Sequence, residues 1–266
     1  MQGFKMLVGA AVLATASIFL PAQIAYADNV KHILGTGTLE VCVKDNALPY
    51  STSTRDHQPS GFQVDIARQF ATQLGVELQE SWINLRSEAR STKCDLFVGV
   101  AKLEDDEDSS YVKKTKPFFR ISSYIVTPAG KPVKTIGDLK DMVVTAPSGS
   151  IAFYRLRELG IETVERFFDE NDMLNTLISE EANAAVVTNI GLNWFKKNHP
   201  EFEFQSIPAA PLLEVTLDYD YAVALRKADT ASVEEFNKMI SAMQATGTLA
   251  KIFSQYGIPY DDAMPD

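Results

Sequence analysis

The chain has 266 residues, with 25 lysine and arginine residues against 35 acidic residues, so its formal net charge is −10. An acidic chain of this kind is a poor candidate for binding nucleic acid or an anionic membrane surface. Hydrophobic residues make up 45% of the chain and charged residues 23%, a composition typical of a folded globular protein and not of a disordered one.

The first 27 residues have the parts of a secretory signal peptide. Lys5 supplies the positive charge, an apolar run covers 6–20, and the small-x-small motif Ala-Tyr-Ala at 25–27 precedes the expected cleavage site. An N-terminal membrane anchor is the alternative, but the run is short for a span. We therefore expect export to the periplasm and a mature chain of 28–266 that is not stably inserted in the membrane.

The sequence contains two cysteines, Cys42 and Cys94. In an oxidising compartment such a pair favours a disulfide, although each residue lies in an apolar run and two free buried cysteines are the alternative. The three histidines are scattered along the chain, without the spacing of metal ligands. The sequence therefore predicts no metal and no cofactor.

The segment after the signal peptide predicts an α/β unit. The expected elements are a strand at 38–44, a helix at 62–74 closed by Gly75, a strand at 76–82 and a strand at 94–100. The last strand, CDLFVGV, is nearly all apolar, which is typical of a strand covered on both faces of a parallel sheet. The order strand, helix, strand, strand indicates a layered α/β domain.

A second α/β unit follows. Its expected elements are a strand at 142–146, a turn at 147–150, a helix at 151–159, a strand at 163–168, a helix at 172–180, a strand at 184–188 and a helix at 190–197. The chain crosses between the units at 122–126 and returns at 220–225, and two helices at 232–247 and 248–257 are expected to pack on the first unit.

These patterns predict an α/β fold of two lobes. The first lobe is discontinuous, 28–122 plus 219–266, and the second lobe is 123–218. In such a clamshell the natural ligand site is the cleft between the lobes.

Several motifs resemble those of type II periplasmic solute-binding proteins, in particular the amino-acid-binding family 3 group. They are TKPFFRISSYIV, the SGS turn, the strand AAVVT and the C-terminal YGIP. The resemblance implies a two-lobe clamshell with hinge strands, and it covers nearly all of 38–260.

Four local features also resemble the MxaJ/MoxJ and XoxJ proteins of quinoprotein methanol dehydrogenase systems. They are VCVKDNALPYS, KCDLFVGV, TKPFFRISSYIV and IFSQYGIP. In those proteins the two cysteine-bearing strands are neighbours and are bridged, which implies a disulfide between Cys42 and Cys94 here.

The chain departs from its amino-acid-binding relatives at two charged positions. Those relatives carry an arginine before the aromatic pair, which clamps the ligand carboxylate, and an acidic residue at the end of a second-lobe strand, which holds the ammonium. Here the first segment reads LEDDEDSS, and the strand ends in Val187, Thr188 and Asn189. The sequence thus predicts that both anchors of a zwitterion are missing.

We interpret the chain as a periplasmic accessory protein of a PQQ-dependent methanol or alcohol dehydrogenase system, acting in assembly, maturation or partner binding. The alternative is the substrate-binding protein of an ABC importer for a small polar solute, either amino-acid-like or an organic acid. The expected partners are accordingly a quinoprotein dehydrogenase or an ABC permease, with a small molecule in the cleft. An enzyme is disfavoured because the sequence shows no paired acid and base.

The residues predicted for the cleft follow strands or begin helices. They are Asn46, Leu48, Tyr50, Phe118, Phe119, Arg120, Ser148, Gly149, Ser150, Thr188 and Asn189. For the serine turn at 148–150 the alternative is plain helix capping, and for the two phenylalanines it is the hydrophobic core.

A dense run of acidic residues forms a second candidate surface. It consists of Glu104, Asp105, Asp106, Glu107 and Asp108. The run is either a solvated loop or a docking patch for a basic partner.

Overall fold

The computed structural model describes residues 28–53, 59–83, 88, 91–92, 94–103, 109, 111–166 and 169–260. The predicted signal peptide, 1–27, and the acidic run, 104–108, lie outside the described residues.

The described chain contains both strands and helices. In chain order the strands are β1 (Thr38–Lys44), β2 (Glu77–Ile83), β3 (Leu96–Lys102), β4 (Val112–Lys114), β5 (Phe119–Ile121), β6 (Ser123–Pro128), β7 (Val143–Thr145), β8 (Glu162–Val164), β9 (Ala184–Thr188), β10 (Phe204–Pro208) and β11 (Tyr219–Arg226). The helices are α1 (Asp28–Thr36), α2 (Phe62–Leu74), α3 (Ile151–Glu158), α4 (Glu170–Ile178), α5 (Asn189–Asn198), α6 (Ala209–Leu213), α7 (Thr230–Ala245) and α8 (Thr248–Gln255). A short 3-10 helix covers Ile136–Leu139.

The strands form two separate sheets, as the two-lobe α/β prediction requires. In the first sheet β1 lies between β2 and β3 and is parallel to both. Strand β11, from late in the chain, is antiparallel to β3, β4 and β5. The chain therefore leaves the first sheet after β5 and returns to it at β11. The numerical lobe boundaries stay a prediction.

The second sheet has the order β10-β6-β9-β7-β8. Strand β7 is parallel to β8 and β9, whereas β6 is antiparallel to β9 and β10. Alternate residues of its strands enter different cores: Ile125 and Val186 pack on one face, and Val126 and Val187 on the other. Coverage of both faces explains why β9 reads as the continuous apolar run AAVVT.

Two residues predicted for the cleft lie instead in the hydrophobic core of the first lobe. Phe118 and Phe119 are 1% and 3% exposed and belong to this core, where Phe119 stacks on Phe253 with ring centroids 4.4 Å apart. The reason is the two-residue period of β5, which buries Phe119 and Ile121 and exposes Arg120 between them. The two phenylalanines therefore do not form the cleft wall, and the core alternative holds for them.

Several elements differ from the sequence predictions. Helix α4 begins at Glu170 and not at 172, because the Asp169 carboxylate accepts hydrogen bonds from the backbone N–H groups of Asn171 and Asp172 and so caps the helix two residues earlier. Strand β8 is Glu162–Val164, shorter than predicted. The sequence reading missed α1, β4, β5, β10, α6 and the 3-10 helix, most of which are too short to show a periodic pattern.

Candidate functional site

A cavity of about 420 Å³ lies between the two lobes. The first lobe contributes the end of β1, the loop after it, and β3. The second lobe contributes Pro147, the start of α4 and the end of β9. A cavity of this size falls within the range of small-molecule sites.

The loop after β1 forms one side of the cavity mouth. Ser51 fixes this loop, because its hydroxyl accepts a bond from Lys44 N at 3.1 Å and donates one to Lys44 O at 2.7 Å. Leu48 and Tyr50 line the cavity as predicted, and their contact with a ligand stays a prediction. Asn46 is instead exposed and does not line it, because the turn places this residue at φ 49° and directs it outward.

The opposite wall is built around a carboxylate that the sequence reading missed. Thr188 ends β9, and its backbone N–H donates to Glu170 Oε1 at 2.7 Å while its hydroxyl donates to Glu170 Oε2 at 2.8 Å. Gly191, in the first turn of α5, makes room for this group, since a Cβ there would collide with Glu170 Oε2. The only local signal was the acidic helix start DEND, which does not reveal where Glu170 points.

The surroundings of Glu170 and Tyr50 raise the pKa of both side chains. Burial is the largest cause that raises the pKa of Glu170, while the bonds from Thr188 act in the opposite direction. Burial also raises the pKa of the Tyr50 hydroxyl, and the negative charge of Glu170 adds to this effect. Tyr50 of the first lobe lines the same cavity as Glu170 and Thr188 of the second.

A second cavity of about 380 Å³ adjoins the first and shares Pro147, Glu170, Thr188 and Tyr219 with it. Ser150 lines this second cavity, but its hydroxyl accepts the bond from Phe153 N at 3.1 Å that caps α3. The other two residues of the predicted SGS turn, 148 and 149, line neither cavity. The capping alternative therefore accounts for this turn.

Arg120 and Asn189 hold the crossing between the lobes and do not line either cavity. Arg120 lies on the exposed side of β5 and forms an ion pair with Asp220 at 2.8 Å. Asn189 accepts a bond from Ser122 N at 3.3 Å and donates one to Arg120 O at 3.0 Å. Their predicted place in the cleft is therefore corrected to the hinge.

The disulfide predicted between Cys42 and Cys94 is present, with Cα atoms 5.4 Å apart. It joins the neighbouring strands β1 and β3 at the start of β3. Cys42 also lines the floor of the first cavity. The bridge thus fixes the strand that carries the cavity loop.

Within the described part of the chain, no group of three or more histidine, cysteine and acidic side chains is arranged to hold a metal ion. None of its helices combines the length and the apolar character needed to cross a bilayer.

Two α/β lobes with a cavity between them are the architecture of the periplasmic-binding-protein fold. The chain belongs to the bacterial extracellular solute-binding proteins, family 3, whose family model matches residues 39–259. It is 24% identical over 225 residues to the probable histidine-binding protein of Neisseria gonorrhoeae, covering 78% of each chain.

Two other relatives agree with this assignment. The L-cystine-binding protein TcyJ of Escherichia coli (strain K12) is 24% identical over 255 residues, covering 92% of each chain. A solved ancestral cationic amino acid solute-binding protein has the same fold, with a TM-score of 0.71 at 20% identity, covering 86% of this chain and 99% of the other. These relatives favour the solute-binding alternative over the role as accessory to a quinoprotein dehydrogenase, which they do not support.

Proposed function

We propose that the chain is a periplasmic receptor that captures a small polar solute between its lobes and delivers it to an ABC importer. The observation that carries the proposal is the cavity of about 420 Å³ whose walls come from both lobes. A ligand enclosed there contacts both sheets at once, so its binding stabilises the arrangement in which the lobes are close together.

Direct contacts across the cleft support closure around a ligand. Asn171, at the start of α4, donates a hydrogen bond of 3.4 Å to Leu48 O in the loop after β1. Lys197 of α5 also donates to Gln255 O at the end of α8, and the ring centroids of Trp194 and Tyr256 are 6.0 Å apart. The two hydrogen bonds are of a kind that water can replace when the lobes separate.

A binding screen tests the proposal. We would measure the melting temperature of the chain lacking residues 1–27 against panels of amino acids, amines and organic acids. A solute that binds the folded state stabilises it by about 2.7 kcal/mol at a concentration of 100 Kd, which raises the melting temperature. A hit would then be measured by titration calorimetry.

Matched tyrosine variants locate the site. Tyr50→Ala removes a ring that lines the cavity, whereas Tyr154→Ala removes one that is 58% exposed on α3 and lines neither cavity. We expect the first variant to lose affinity at least tenfold and the second to bind as the parent does. Equal binding by Tyr50→Ala, or the absence of any hit in the screen, would contradict the proposed function.

A further inference from the structure

The charge of the cavity wall restricts the ligand. Among the described residues that line the first cavity, the acidic ones are Asp169 and Glu170 and the one basic residue is Lys44, whose side chain is exposed. None of these described lining residues is an arginine. The described part of the wall is therefore suited to a positive ligand group, and it contributes no guanidinium for a ligand carboxylate.

Glu170 retains the capacity to bind such a group. A carboxylate has about four acceptor positions, and the backbone and hydroxyl of Thr188 occupy two of them. Glu170 lines both cavities and therefore lies at their common boundary. Asp169 differs, because its carboxylate is used in capping α4.

Aromatic rings line the same cavity as Glu170. Tyr50, Tyr219 and Tyr221 line the first cavity, and the rings of the last two are 6.2 Å apart. An ammonium group is attracted both to a carboxylate and to the faces of aromatic rings.

Part of the remaining wall is apolar. Val98, Ile83 and Phe97 line the first-lobe side, and Leu48 closes it at the loop. An apolar ligand body would remove this surface from water, which is the main source of affinity in small-molecule sites.

We propose that the cavity selects organic amines that lack an α-carboxylate, with the ammonium group bound by Glu170 among the three tyrosines and the apolar body packed against Phe97 and Ile83. The inference rests on the proposed solute capture and specifies the class of solute. Glu170 is its specificity-determining residue.

Pairs of compounds that differ by one carboxylate provide the test. Titration calorimetry would compare histamine with L-histidine, tyramine with L-tyrosine, and cadaverine with L-lysine. We expect at least one amine to bind, and to bind at least tenfold more tightly than its amino acid. Tighter binding of the amino acids, or binding of organic acids alone, would overturn the amine inference and leave solute capture standing. If no compound of any class binds, both are overturned.

A matched pair of carboxylate variants tests the role of Glu170. In Glu170→Gln the amide oxygen can still accept from the Thr188 backbone N–H, and the amide NH2 can donate to the Thr188 hydroxyl. The side chain has no charge, so we expect amine affinity to fall about 10- to 100-fold. The control Asp172→Asn removes a charge from an exposed position of the same helix and should bind as the parent does. Unchanged amine affinity in folded Glu170→Gln would overturn the assignment.

The amine affinity of the parent should also fall as the pH is lowered and Glu170 is protonated. This fall should be absent from Glu170→Gln.

Discussion

Glu170 and Thr188 are 18 residues apart in the chain, yet two hydrogen bonds of 2.7 and 2.8 Å join the carboxylate of the first to the backbone and hydroxyl of the second. The pair links the start of α4 to the end of β9 in the second lobe. It also places a carboxylate in the cleft near the position where the strand itself ends in the uncharged Thr188 and Asn189. The predicted absence of an acidic group at this strand end is therefore compensated by a residue from another element.

Removal of the Thr188 hydroxyl should weaken this pair. Thr188 Oγ1 both donates to Glu170 and accepts from Gly191 N at 3.3 Å as the cap of α5. We expect Thr188→Val to lower the free energy of unfolding by about 1 to 2 kcal/mol, the usual effect of losing a helix cap. Urea denaturation measures the change. Thr188→Ser keeps the hydroxyl and should retain most of the stability, and equal losses in both variants would show that the hydroxyl is not the cause.

The pH dependence of stability should report the raised pKa of Glu170. The folded pKa lies above its ordinary value of 4.5, so between these two values the folded state holds more protons than the unfolded state. The free energy of unfolding therefore decreases as the pH rises through this window and stays lowered above it.

Glu170→Gln lacks this titration. We expect the ligand-free variant to gain stability relative to the ligand-free parent as the pH rises above 4.5. The difference between their free energies of unfolding should become constant above the folded pKa of Glu170. Burial also raises the pKa of Asp95, but that group is present in both proteins and cancels from the difference. Melting temperatures from pH 4 to pH 8 measure the effect. A difference that does not change with pH would contradict the prediction.

The small size of Gly191 should be essential for the position of Glu170. Because a Cβ at 191 would collide with Glu170 Oε2, Gly191→Ala must displace the carboxylate or shift α5. We expect a loss of about 1 to 3 kcal/mol in the free energy of unfolding, together with loss of ligand affinity.

Gly35→Ala is the matched control for that substitution. Gly35 lies in α1, and a Cβ there would have no atom within 4 Å. Alanine at this position should leave stability unchanged or increase it by about 0.4 to 1 kcal/mol. If Gly191→Ala behaved in the same way, the close packing of Gly191 on Glu170 would be refuted.

The disulfide should contribute strongly to stability. Its cysteines are 52 residues apart, for which the chain-entropy model gives about 4 kcal/mol. We expect the double variant Cys42→Ser, Cys94→Ser to lose about this amount in denaturant unfolding. A reductant should lower the stability of the parent toward that of the variant and leave the variant unchanged. A parent that is insensitive to reductant under denaturing conditions would contradict the prediction.

The sequence by itself determined the class of fold. Strands such as β3 and β9 read as largely apolar runs, because coverage of both sheet faces favours apolar residues at successive positions. Helix α2 shows its apolar face and its closing Gly75, whose φ of 68° suits glycine. The cysteine pair was predictable from the expected compartment together with the family resemblance, and the structure confirms the disulfide.

Only the tertiary structure decided the composition of the site. Two-residue periodicity directs a side chain to one face or the other, but the pairing of β5 with β11 decided that Phe119 enters the core while Arg120 faces outward. The position of Glu170 depends on the cap at Asp169, the end of β9 and the space left by Gly191. These groups come from different elements, so their approach depends on packing between helix and sheet. Local sequence patterns cannot show that packing, because they report only which residues are near one another along the chain.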